Sequence, residues 1–429
     1  MARSLPRTRL SAYHRGSGDH PVGGHAQGAR GILEEARQAF RNPLGDVMEL
    51  GFLKPLFART GPWASVYVET TRATEDAQRI QALRERAVAS QLIDADADAY
   101  TVRAVVDRLA GEPPAGAPPG RALFASGAEV VLDVPLARAP ATTEATWSVL
   151  PHIAPLAALR GEEPGCLVAH IDRTGADLEL RDSLRREAVG EAQGREREGR
   201  GHRSVPGDRY EWHYRNKVEN TWNETAGVIA AELARQWPGS GADLVVLSGD
   251  PRERRAVLSR LPEQMRAVTV EIDSGGRSPG ASHDALDREI ARVREDFARG
   301  RLESALERFR RGRGRPGEHR ESTVDTGPGQ AAEGMPAVVD AVRSHQVATL
   351  LLGPEGSDAA REVWIGPGVD EVAVQRGQAQ AMGVDRPVLA RADDALLRSA
   401  AAAGCEVLVV PAGMPGPAGG LGAVLRWTV

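Results

Sequence analysis

What most limits the folds open to this chain is an alternation of short apolar runs with longer charged helical patterns. DLVVLSGD (243–250) has the pattern of a buried strand, and PRERRAVLSRL behind it reads as a helix. AVTVEID (267–273) is another strand, and HDALDREIARVREDFARGRLESALERF (283–309) a long charged helix. Strands joined through helices imply an α/β fold with a mostly parallel sheet, because parallel neighbours need a crossover and a helix supplies it. GCLVAHIDRTGADLELRD (165–182) precedes this unit as two strands about a turn at Thr174-Gly175, and the charged run Arg185–Arg203 that follows reads as strandless. A helical pattern then runs from about Asp208 to Gln236, with Val218, Trp222, Ile229 and Leu233 on or near one stripe.

The flanking sequence divides in the same way. ASVYVET (64–70) reads as a strand, TEDAQRIQALRERAVASQL (74–92) and DADAYTVRAVVDRLA (96–110) as helices, and RALFASGAEVVLDVPL as two strands around Gly127. After the Gly-rich polar stretch 311–334, MPAVVDAVRSHQVATLLL is a helix running into a strand. ADDALLRSAAAAGCEVLVVP (392–411) is a helix, a glycine stop and a strand. The expected organisation is an N-terminal extension over 1–47, either disordered or upstream of a later start at Met48. An α/β domain over 48–160, a central domain over 161–310 with a basic loop at 194–206, a flexible linker over 311–334 and a C-terminal α/β/α domain over 335–429 complete it.

Composition narrows function. A net charge of −5 excludes a globally basic nucleic-acid binder but not a local basic patch. The two cysteines, Cys166 and Cys405, sit far apart at the edges of apolar runs, as buried thiols do, so neither a disulfide framework nor a cysteine metal site is expected. No run of apolar residues approaches a membrane span, and the start of the chain has no apolar signal core, so a cytoplasmic protein without membrane partners is expected.

Most chemical motifs are missing. No Walker A loop, no dinucleotide-fold glycine pattern and no G-x-S-x-G elbow occurs. His202 and His213 lack partners at metal-binding spacing, and His170 sits within a strand, so no metal or cofactor is expected. The acidic pair Glu162-Glu163 and the residues Glu219 and Glu224 read as solvated surface, and GPAGGLGAV as a tight turn into a last strand. Tyr67 reads as structural. The stretch GREREGRGHRSVPGDRYEWHYRNKVENTW (194–222) stands apart. Glycines among charges cannot build a core. The aromatic rings, guanidinium groups and amides that follow suit stacking on bases and gripping phosphates, although a surface loop with inward-packed aromatics has the same composition.

Four segments in this order, GCLVAHIDRTGADLEL, GRGHRSVPGDRYEWHYRNKVENTWNETA, DLVVLSGDPRERRAVLSRL and GGLGAVLRW, resemble the archaeal and eukaryotic class-1 release factors and their Pelota-like relatives. The resemblance is nearest to an actinobacterial branch that is also similar to ribosome hibernation factors. It implies a three-domain protein whose last domain is similar to kink-turn-binding ribosomal proteins. It further implies a factor that occupies the ribosomal A-site region during dormancy or stress. The release-factor loop carries Gly-Gly-Gln, whereas the matching residues 199–204 read GRGHRS and lack the glutamine. What carries over is position: Gly199, Arg200, Gly201, His202 and Arg203 form the expected tip, and Arg209, Tyr210, Trp212, Arg215 and Lys217 the supporting basic helix. The expectation is a non-enzymatic contact with the rRNA of the 70S ribosome, with elongation factor Tu as a further partner and a monomer when free. A peptidyl-tRNA hydrolase acting through His202 or Arg203, and a protein-binding adaptor, are the alternatives.

Overall fold

The computed structural model describes residues 50–70, 77–110, 118–159, 164–182, 186–194, 207–275, 283–313 and 330–426, with backbone alone for 50, 51, 77, 207–222 and 283. The expected extension 1–47 lies outside the described residues, as do 314–329 of the stretch read as a linker. All described residues belong to one compact unit, Leu44–Val429. Among them no helix is long and apolar enough to cross a membrane.

The first block is a four-stranded antiparallel sheet ordered β3-β2-β1-β4, from β1 (Trp63–Glu69), β2 (Gly120–Ser126), β3 (Glu129–Leu136) and β4 (Glu144–Ser148). Two helices, α1 (Ala77–Asp94) and α2 (Ala99–Leu109), follow β1, and the short α3 (Ala154–Leu159) closes the block. Asp98 caps α2 by accepting from the Thr101 amide at 2.9 Å, which satisfies one of the orphan donors of the first turn.

The central block carries β5 (Cys166–Ile171), β6 (Gly175–Arg181), β7 (Arg186–Gln193), the 34-residue helix α4 (Gly207–Ser240), β8 (Leu244–Gly249), α5 (Pro251–Leu258), β9 (Thr269–Ile272) and α6 (His283–Gly312). Its strand order is β7-β6-β5-β8-β9. Here the structure corrects the expected mostly parallel sheet. β5–β8 and β8–β9 are parallel, but β5–β6 and β6–β7 are antiparallel, and antiparallel pairing prevails in the molecule as a whole. The parallel half is the one visible as strand–helix–strand. The other half is a hairpin extended by β7, which lies inside the run read as strandless. The charge there marks an edge strand, where exposed Arg and Glu discourage pairing with another chain.

The C-terminal block is corrected too. β10 (Ala331–Glu333), α7 (Met335–Arg343), β11 (Val347–Leu352), β12 (Glu362–Ile365), β13 (Val372–Ala373), β14 (Val388–Arg391), α8 (Ala392–Ala403), β15 (Glu406–Val409) and β16 (Leu421–Leu425) form two sheets. One is mixed, ordered β10-β16-β11-β15, and the other is the antiparallel β13-β12-β14. The block is α/β, but this arrangement does not indicate a kink-turn-binding domain. Gly404 ends α8 at φ 62°, a left-handed conformation that glycine adopts without a Cβ penalty.

The largest core runs through the first and last blocks together. Trp63, Tyr67, Phe124 and Leu156 from the first share one buried cluster with Val338 and Leu396 from the last. At about 1.5–3 kcal/mol per fully buried large side chain, this shared interior is a main cohesive term. A separate cluster under the central sheet joins Leu167, Leu178, Ile229, Leu233, Leu247 and Val257. The far half of α6 packs Leu302, Leu306 and Phe309 against Leu351, Leu408 and Val424, so one helix serves the central and C-terminal blocks.

Candidate functional site

In the sequence, the segment expected to form the basic loop follows β7 and precedes α4. Residues 195–206, and with them Gly199, Arg200, Gly201, His202 and Arg203, lie outside the described residues. Arg209, Tyr210, Trp212, Arg215 and Lys217 lie on the backbone of α4, and their side chains are outside the described residues. Their grouping into one surface is therefore carried by the sequence alone.

The root of the loop is described, and it is held tightly. Asp172 Oδ1 accepts from the Thr174 amide (2.7 Å), the Thr174 hydroxyl (2.7 Å) and the Gly175 amide (2.9 Å), an Asx-type turn that fixes the β5–β6 hairpin. The Gly194 amide donates to the Thr174 carbonyl at 2.7 Å, which ties the end of β7 to that turn. A Cβ on Gly194 would overlap the Thr225 hydroxyl of α4 and stand 3.0 Å from the Thr174 carbonyl oxygen. Three segments thus meet at a point where a Cβ is crowded.

Beside this root is a cavity of about 390 Å³ at the C-terminal end of β5, between α4 and α5. Its floor is apolar: Ile171, Ala226, Ile229, Ala256 and Val257. Its rim carries Asp172, Arg173, Asn223, Thr225, Arg252 and Glu253. Arg173 Nε stands 3.8 Å from Glu253 Oε1. Burial, followed by the charge of Asp250, pushes the Glu253 carboxyl above its ordinary value despite the opposing charge of Arg173. The ends of parallel strands are where α/β sheets tend to receive ligands.

A half-buried charge network lies across β5, β6, β7 and α6. Glu179 accepts from Arg181 at 2.7 Å, pairs with Arg186 at 2.6 Å and meets His170 Nε2 at 3.2 Å, while Arg181 also reaches Asp287 at 2.5 Å. Burial pushes the Glu179 carboxyl up, but the hydrogen bonds from His170 and Arg181 and the two arginine charges outweigh it and bring the pKa down to about 2. His170, read as lying within a strand, sits on β5 with Glu179 as its partner.

Among the described residues, the grouping with potential metal-ligand spacing is His152, Asp393 and Asp394, all buried. Its oxygens are already engaged. Arg391 donates to both oxygens of Asp393, at 3.1 and 2.7 Å. Asp394 accepts from His152 Nδ1 at 2.9 Å and from the Ile153 amide at 2.8 Å. The Tyr67 hydroxyl donates to the His152 carbonyl at 2.6 Å, and the Ser65 hydroxyl accepts from the His152 amide at 2.9 Å. Arginine supplies the positive charge that a metal would bring, so the group is a joint between the first and last blocks. Nothing in the sequence signals it, because its members lie 242 residues apart. Both cysteines are buried as expected, and burial pushes the Cys166 thiol to about 12.

Residues 165–315 match the profile of the bacterial archaeo-eukaryotic release factor family 2, which takes in the hairpin, the loop and its root, α4, the cavity and α6. An uncharacterised protein of Mycobacterium tuberculosis, found in two strains, is 28% identical over 391 residues, covering 87% of this chain and 96% of the relative. Over residues 165–315 the chain is thus similar to a bacterial family of release-factor type. Solved structures overlay loosely. An archaeal translation termination factor is 16% identical with a TM-score of 0.22, covering 88% of this chain and 97% of that one. Archaeoglobus fulgidus Pelota is 13% identical with a TM-score of 0.29, covering 72% and 80%. Saccharomyces cerevisiae Dom34 is 8% identical with a TM-score of 0.34, covering 90% and 94%.

Proposed function

We propose that this release-factor-like chain acts on the ribosome as a rescue-type factor, presenting the loop 194–206 to the acceptor end of a peptidyl-tRNA. The observation that supports the reading is the family match, because its residues 165–315 contain both the loop and the root that orients it. A short loop on a rigid root can place its tip reproducibly in an RNA-lined cavity. Cations at the tip contribute affinity that falls with salt. Hydrolysis in this reading rests on His202 or Arg203, which stand where the family loop has its glutamine.

A second reading is favoured by the residues GRGHRS at 199–204, which contain no glutamine. In it the factor occupies the A-site region without chemistry, during dormancy or stress, alone or with elongation factor Tu. One experiment tests both. The chain is co-sedimented with 70S ribosomes across a salt series, beside a variant with alanine at Arg200, His202, Arg203 and Arg215, and peptide release from stalled ribosomes is measured in parallel. Salt-dependent binding with release that is lost in His202→Ala supports the rescue reading. The same binding without release supports occupancy. No ribosome binding by the wild type, with or without elongation factor Tu, overturns both and leaves a protein-binding adaptor.

A further inference from the structure

The cavity beside the loop root combines features that the ribosome reading does not use. Its volume of about 390 Å³ falls within the roughly 300–1,000 Å³ of small-ligand sites. Its lining includes the apolar side chains of Ile171, Ala226, Ile229, Ala256 and Val257, against which the apolar face of a planar ring can pack. Its rim carries the two charge types a nucleotide needs. Arg252 supplies a guanidinium donor for a phosphate and Arg173 a second, which also stands 3.8 Å from Glu253; Glu253 supplies a carboxylate acceptor, while Asp172 Oδ1 on the same rim is taken by the turn at Thr174. Asn223 lines the same rim. Its carbonyl oxygen accepts from Arg260 at 2.9 Å, so the group left for a ligand is the amide NH₂, a donor.

That set discriminates among bases. Guanine presents two adjacent donors, N1–H and the N2 amino group, which a carboxylate accepts together, and the acceptors O6 and N7 for an amide NH₂. Adenine offers a carboxylate one donor and sets its N1 lone pair against the second oxygen. Pyrimidines fill less of the floor. We propose that this cavity is a binding site for a single unstacked guanine nucleotide, with Glu253 reading the base edge, Asn223 donating to its acceptors and Arg173 and Arg252 holding the phosphate. The nucleotide is either free or part of an RNA strand, and the recognition chemistry is the same for both.

The inference goes beyond the ribosome reading and is tested without ribosomes. The full chain is titrated with 5′-GMP, 5′-AMP and inorganic phosphate by calorimetry. The expected result is saturable GMP binding, AMP weaker by about tenfold or more, as loss of a bidentate base contact implies, and no saturation by phosphate. Glu253→Gln is expected to erase the preference for GMP over AMP. Ala256→Trp, which fills the floor, is expected to abolish binding of both. Thermal melts confirm that each variant folds, and Glu253→Gln carries the test if Ala256→Trp does not. Absence of GMP binding, equal binding of GMP and AMP, or a GMP preference unchanged in Glu253→Gln overturns the proposal. Adding 70S ribosomes to the GMP complex then identifies the source. Displacement of GMP points to a nucleotide of RNA and retention to a free nucleotide, and both support guanine recognition. Loss of ribosome binding with GMP binding intact removes the ribosome reading alone, and the converse removes this one alone.

Discussion

His152 Nδ1 stands 2.9 Å from Asp394 Oδ2, a buried contact between residues 242 positions apart that joins the first block to α8 of the last. Burial pulls the imidazole down, but the hydrogen bond and charge of Asp394 outweigh it and hold His152 above its ordinary value. A group whose pKa is raised on folding stabilises fully below its unfolded pKa and loses that contribution as pH rises through the folded value. The junction is therefore expected to weaken as pH climbs above about 6.5. Thermal melts from pH 5 to 9 should show this loss in the wild type and a flatter profile in His152→Asn. An identical pH slope in the two proteins would remove the assignment.

Glu179 has the opposite sign. Its pKa of about 2 lies below that of an unfolded glutamate, so its contribution is present above roughly pH 4.3 and is lost as pH falls toward 2. Glu179→Gln removes the negative charge that Arg181 and Arg186 share, leaving them Asp287 alone as a common carboxylate, and is expected to cost about 1–3 kcal/mol at neutral pH. The variant should also lose less stability than the wild type between pH 4 and 3, as read by urea midpoints.

These two networks show where sequence reasoning reaches and where it stops. The β5–β6 hairpin, the β8–α5–β9 crossover and α8 running through Gly404 into β15 were all legible, because each is a local pattern of period, breaker and cap. β7 was not, since an edge strand made of REAVGEAQ has the composition of a loop. The core shared by Tyr67, Phe124 and Leu396 was not legible either, because each residue signals burial without naming its partner. At the candidate site, the glycines and arginines expected to form a loop lie at 195–206, outside the described residues, whereas the contacts of Gly194 with Thr174 and Thr225 exist only in three dimensions.

Arg301 is a comparable three-dimensional tie. From α6 its Nε donates to Glu406 at 2.9 Å and its Nη1 to Asp243 at 3.2 Å, one carboxylate on β15 and the other just ahead of β8. Thr349 donates to the second oxygen of Glu406 at 2.7 Å. Replacing Arg301 with methionine keeps the stem but leaves two poorly hydrated carboxylates, at a cost of about 2–4 kcal/mol. Lysine should recover less than half of that, because a single ammonium cannot match a planar fork that serves two acceptors. Hydrogen exchange should report faster opening at β15 and at the start of β8 in Arg301→Met. Unchanged protection at both would show that the apolar contacts of Leu302, Leu306 and Phe309 hold the blocks together unaided.

The most direct probe of the loop root is Gly194. A side chain there meets the Thr225 hydroxyl and the Thr174 carbonyl, one a side chain that can be shortened and the other backbone that cannot. Gly194→Ala is expected to destabilise the chain by about 1–3 kcal/mol, the usual range for overpacking a close contact. Adding Thr225→Ala removes both the hydroxyl and the methyl that crowd the new Cβ, so the double variant should recover part of the loss, and a double-mutant cycle should yield coupling of about 0.5–2 kcal/mol. If the root orients the loop, ribosome binding should fall in Gly194→Ala beyond what its lost stability explains, and return in the double variant. Binding that tracks stability alone across the cycle would mean that the root supports the sheet and leaves the aim of the loop to its own residues.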